Sequence, residues 1–201
     1  MEKALDEYVI KGVTHNIPLL RDVISHPRFA KGKLSTGFLP EEYPSGFKGH
    51  QLTETSRFEL LSVAAYVFAR RDLRNRSWIQ GGGTMSGLSG QRKSWDLYLG
   101  VGEAEPEHVQ VKRTEEGSFQ VTVGDKTATV AADWALESPL IHAELSQGSE
   151  TSNVTVQYVE PIPLGFKLQH YGTKVHLKNV TDAISLISLS RPRTSTNSPS
   201  T

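Results

Sequence analysis

Residues 60–69 read "LLSVAAYVFA", ten positions without a charge between Glu59 and the pair Arg70-Arg71. At 100° per residue, Leu60, Leu61, Val63, Val67 and Phe68 occupy about half of a helix circumference. The other half holds Ser62, Ala65, Tyr66 and Ala69, mostly small and all uncharged. A helix apolar nearly all round is one that other structure encloses. The spacing predicts a helix over 56–75, opened by a capping box of Ser56 and Glu59. Arg70, Arg71, Arg74 and Arg76 fall where cations complement the dipole of the helix C-terminus.

From residue 94 the period changes from 3.6 to 2. Trp95, Leu97, Leu99 and Val101 alternate with polar neighbours, as do Phe119, Val121 and Val123. The same alternation recurs through Val109, Val130, Ile141, Val154, Phe166 and Leu177, which predicts about eight short strands over 94–177. Gly124-Asp125 and Tyr171-Gly172 are the turn signals of two hairpins. Strands without intervening helices form an antiparallel sheet, one-sided or closed into a barrel. The expected fold is therefore mainly β: an antiparallel eight-stranded barrel around a long helix. An eight-stranded barrel is normally just wide enough for its own side chains, so it must tilt steeply or open along one seam. Ala64, Ala65 and Ala69 ease the fit. The alternative is a helix lying across the mouth of a curved sheet.

Residues 1–50 form a separate region, a short helical and extended remnant. Ala4, Leu5, Tyr8 and Val9 recur at helical spacing with Gly12 as a C-cap. Thr14 or Asn16 caps a second helix with Pro18 in its first turn. From Pro27 to His50 the pattern is turns and extended chain. Fifty residues make a poor core alone, so this region reads as the exit strap of a larger domain. Residues 51–177 then form the main domain, with helix 56–75, a glycine-rich linker 76–93 and strands 94–177. Residues 178–201, rich in Ser, Thr and Pro, read as a disordered tail.

Twenty-two basic residues balance twenty-two acidic ones, so no global field draws the chain to nucleic acid or to an anionic membrane. The absence of cysteine excludes disulfides and cysteine-bound zinc and fits a reducing compartment. No stretch approaches the roughly 20 apolar residues that span a bilayer as a helix.

"GVTHNIPLLR" resembles a segment shared across the biotin-dependent carboxylases. "FLPEEYPSGFKGH", running into the apolar helix, is similar to the alpha subunits of the propionyl-CoA carboxylases within that family. "VGDKTATVAADWALESPL" and the hairpin Gly165–Gly172 resemble the BT domain that follows there, which bridges biotin carboxylase to the carboxyltransferase. The resemblance implies that 1–50 is the end of a biotin carboxylase domain and that 51–177 is a BT-type domain. It implies a non-catalytic bridging role within a mitochondrial matrix ligase, with the beta subunit and the rest of the alpha subunit, including its biotinyl carrier domain, as partners. The parent enzyme would use biotin, ATP and magnesium to carboxylate propionyl-CoA to methylmalonyl-CoA. The family's ATP-binding residues and its biotinyl Met-Lys-Met motif are not expected in this chain. After Lys174 the sequence departs from the family pattern, which reads as an alternative or misread C-terminus.

No catalytic, cofactor or metal residue is assigned. Gly81–Gly83 with Gly87 and Gly90 lacks the Lys and Ser/Thr of a phosphate loop. The seven histidines show no metal spacing, and His142 and His170 are placed on outward strand positions. Asn153-Val154-Thr155 and Asn179-Val180-Thr181 match the glycosylation sequon, which a mitochondrial protein would not present for modification. The candidate partner interface is Arg74, Arg76, Trp78 and Ile79, since aromatics and arginines anchor interfaces. The alternative function is a β-barrel that binds a small hydrophobic ligand, which needs an empty interior.

Overall fold

The computed structural model describes residues 1–50, 52–79 and 93–179, the side chains of 77–79 excepted. Four short helices come first: α1 (Glu2–Glu7), α2 (Ile17–Ser25), α3 (Pro27–Ala30) and α4 (Phe38–Glu42). The long helix α5 (Glu54–Ile79) follows. The strands are β1 (Ser94–Val101), β2 (Glu107–Arg113), β3 (Phe119–Val123), β4 (Lys126–Ala132), β5 (Leu140–Gln147), β6 (Glu150–Ile162), β7 (Gly165–His170) and β8 (Thr173–Asn179).

Each strand pairs antiparallel with its sequence neighbour, and β8 returns to β1, so the sheet is a closed barrel. The described closing seam is short. Only Leu99, Gly100 and Val101 pair with Asn179, Lys178 and Leu177, whereas β1 and β2 share six pairs. Where β7 meets β8 the backbones approach closely: a Cβ on Gly165 would lie 1.9 Å from the Leu177 carbonyl oxygen. Only glycine fits there.

α5 lies within this wall. Leu60 to Val67 and Ala69 are all at most 1% exposed. Their neighbours surround them. The Tyr66 ring packs edge-on to Phe119 of β3 at 5.3 Å and tilts against Trp134 at 6.4 Å. Phe68 stacks on Phe166 of β7 at 4.6 Å. The Asp72 carboxylate accepts from the Trp95 indole of β1 at 2.8 Å. One core cluster joins α5 to the inward residues of all eight strands, each large side chain contributing roughly 1.5–3 kcal/mol on burial. Alanines at 64, 65 and 69 let the helix backbone run close to the wall. The segment after β4 covers one end: Trp134 is 2% exposed, its indole donates to the Ser138 carbonyl, and its own carbonyl accepts from Arg70.

Several details differ from expectation. α5 begins one turn before Ser56. Thr53 is its cap, with its hydroxyl accepting from the Ser56 amide at 3.2 Å. Glu59 is therefore in the second turn, buried rather than capping. The helix also continues through residues 76–79, which read as linker. α3 and α4 replace the expected extended chain. Both are too short to show a helical period, and each carries a proline in its first turn. α1 ends at Tyr8 in an extended conformation, so Gly12 is not its cap. Leu164, expected to face inward, sits in the β6–β7 turn with positive φ and is exposed.

Candidate docking site

The C-terminal end of α5 leaves the barrel beside the start of β1. Asp72 organises it. Its Oδ2 accepts from the Trp95 indole and from Arg76 Nε, both at 2.8 Å. The second is an i,i+4 pair along the helix. One turn earlier, Arg71 reaches across to the Tyr158 hydroxyl of β6 and lies 5.6 Å from that ring's centre. A groove of about 460 Å³ opens between these groups and is lined by Phe68, Arg71, Asp72, Arg76, Trp95 and Phe166 among others. Its floor is aromatic and its rim is charged.

The predicted interface residues divide here. Arg74 and Arg76 are exposed at this end, and Arg76 joins the Asp72–Trp95 cluster. The backbone of Trp78 and Ile79 continues α5, while their side chains lie outside the described residues. So do Gly81–Gly83, Gly87, Gly90 and the residues after Asn179, including part of the second sequon. Asp72 and Trp95 were not singled out from sequence. The Asp72–Arg76 spacing was readable, but the contact with a strand residue was not.

At the opposite end, the N-terminal helices pack on the barrel. Arg21 of α2 binds Asp6 through two hydrogen bonds, 2.6 and 3.1 Å, and its guanidinium lies 4.3 Å from the centre of the Tyr171 ring. Gln157 donates to the carbonyls of Asp6 and Tyr8. His170 is 1% exposed, not on an outward position. It shares strand parity with the inward Phe166 and Leu168. Burial pushes its imidazole down to about 4, which a contact with the Thr155 backbone only partly offsets. His142 is exposed, its ring 3.3 Å from the Thr155 hydroxyl. Burial raises the Glu59 carboxyl above its ordinary range, partly offset by Ser152. Among the described residues no three His, Asp or Glu side chains converge as metal ligands would.

Residues 60–185 match the family model described as "Propionyl-coenzyme A carboxylase BT domain". The chain belongs to that family. Residues 1–41 match the biotin carboxylase C-terminal domain. The family model thus takes in most of α5 and the whole barrel, and the second match takes in α1 to most of α4. Among similar proteins, the mitochondrial propionyl-CoA carboxylase alpha chain of Rattus norvegicus is 40% identical over 180 residues, covering 88% of this chain and 24% of that one. The Homo sapiens alpha chain is 40% identical over 141 residues, 70% of this chain and 19% of that one. The Caenorhabditis elegans alpha chain is 33% identical over 183 residues, 87% and 25% respectively. The chain spans about a quarter of the length of these relatives.

Proposed function

We propose that this chain is the bridging portion of a propionyl-CoA carboxylase alpha subunit, non-catalytic itself, which docks biotin carboxylase onto the carboxyltransferase beta subunit. The observation that supports this reading is the filled barrel. With α5 occupying the interior, recognition falls to the outer surface and the ends, which suits an adaptor. A barrel that encloses a small hydrophobic ligand needs the space that α5 takes. The arginine-rich end of α5, with Arg74, Arg76, Trp78 and Ile79, is the proposed contact with the beta subunit. Residues 1–50 would belong to the preceding biotin carboxylase domain, 51–177 to the bridging domain, and 178–201 to a divergent tail.

The whole enzyme, on this reading, carboxylates propionyl-CoA to methylmalonyl-CoA in the mitochondrial matrix, using bicarbonate, ATP, magnesium and biotin. The residues of this chain do not fit as the biotin attachment site: its methionines, Met1 and Met85, have no lysine beside them. The biotinyl carrier and the ATP site are therefore assigned to other parts of the alpha subunit. The test is co-purification of the two subunits. Arg74→Ala with Trp78→Ala in the full alpha subunit should weaken capture of the beta subunit and leave ATP-dependent biotin carboxylation intact. Undiminished capture by that variant would remove the proposed contact.

A further inference from the structure

The turn between β7 and β8 has two residues, Tyr171 and Gly172, with φ of 47° and 74°. Two-residue hairpin turns with positive φ at both positions favour Asn-Gly or Asp-Gly, because an asparagine tolerates the left-handed region and a bulky aromatic resists it. Chain reversal alone gives no reason for a tyrosine here. The surroundings give one. The Tyr171 ring faces the Arg21 guanidinium at 4.3 Å and the His50 ring at 5.3 Å. Arg21 is itself held by Asp6, with both side chains at most 15% exposed. Gly172 is equally committed, since a Cβ on it would lie 2.9 Å from Pro18 Cα in α2. Next along the chain, the Thr173 hydroxyl accepts from the His50 amide at 2.8 Å. The β3–β4 turn makes the contrast: Gly124 also has positive φ, and a Cβ there would meet nothing within 4 Å. An outlying backbone conformation held by neighbours from another region points to a role beyond the turn itself.

We propose that the Tyr171-Gly172 turn is a docking peg and Arg21 its clamp, so that residues 1–50 and the barrel move as one rigid elbow. Segments matching two different families are then joined by a fixed angle rather than a hinge. This inference does not depend on the beta-subunit reading, and its test involves no partner.

The chain has no cysteine, so spin labels go only where they are placed. Leu20→Cys on α2 and Gln110→Cys on β2, both at exposed positions, report the angle between the two parts by pulsed dipolar spectroscopy on the whole chain. The unsubstituted elbow should give one narrow distance distribution. Arg21→Ala and Tyr171→Asn should each broaden it by about twofold or more, because local opening follows the loss of the clamping contacts. Tyr171→Phe, which keeps the ring, should remain narrow. Asparagine suits the turn, so thermal melting of the Tyr171→Asn barrel should be unchanged or raised. Narrow distributions in both Arg21→Ala and Tyr171→Asn would overturn the proposal. So would a broad distribution before any change to Arg21 or Tyr171, or melting of the barrel itself in Tyr171→Asn.

Discussion

The Tyr66 hydroxyl, midway along the central helix, donates a 2.9 Å hydrogen bond to the Ala132 carbonyl on β4. It is the polar end of an otherwise apolar side chain that is 1% exposed. Tyr66→Phe keeps the ring and leaves that carbonyl without its donor. It should cost about 1–2 kcal/mol in urea unfolding. Tyr66→Ala should cost about 3–5 kcal/mol, since it adds a cavity between Phe119 and Trp134. Equal losses in the two variants would show that the hydroxyl, not the packing, dominates.

The alanines of α5 predict the opposite kind of failure. Ala65 is fully buried, so Ala65→Leu must push the helix away from the wall. The expected loss is about 1–3 kcal/mol or more, read as a lowered denaturation midpoint. An unchanged midpoint would mean that the barrel has slack around its helix.

Gly165 predicts a backbone effect. In Gly165→Ala the added methyl would meet the Leu177 carbonyl, which belongs to the rigid β8 backbone. The strands must separate near the closing seam, at a cost of about 1–3 kcal/mol or beyond. Hydrogen exchange should quicken first in β7 and β8.

His170 sets a pH dependence. Burial lowers its imidazole from 6.5 to about 4, so the folded protein favours the neutral ring and the unfolded chain binds the extra proton. Its contribution is fully present above pH 6.5 and is lost as the pH falls through 4, a loss of about 3 kcal/mol in total. Unfolding free energies at pH 7, 5.5 and 4 measure this slope. His170→Leu should flatten it.

Glu59 works in the other sense. Its folded value is raised by burial, so its contribution is present below the ordinary carboxylate value and is lost as the pH rises through the raised one. At neutral pH the buried charge is a burden. Glu59→Gln should therefore raise the melting temperature at pH 7 and lose that advantage in mild acid.

Local periodicity carried most of the architecture. The uncharged run at 60–69 and the alternation at Phe119, Val121 and Val123 each report their own surroundings, so helix and strands were both readable. So was enclosure, because a helix without a polar face and a sheet with one apolar face need each other. Details that depend on partners remote in sequence were hidden. Thr53 and Ser56 are equally good caps by composition, and only the start of burial chooses between them. His170 continues the inward parity of Phe166 and Leu168, which its polarity obscured. Nothing in the local text around Arg21 announces Tyr171, and nothing near Asp72 announces Trp95.

The central helix precedes every strand that shelters it, which constrains how the molecule is made. As the chain leaves the ribosome, residues 60–69 emerge before any wall exists to receive them. Successive hairpins can be added locally, but β8 must then reach back to β1 through a contact distant in sequence, the slow kind of step. Until that step the nascent protein displays its most oily segment, which is when holding chaperones would find it and when aggregation would compete.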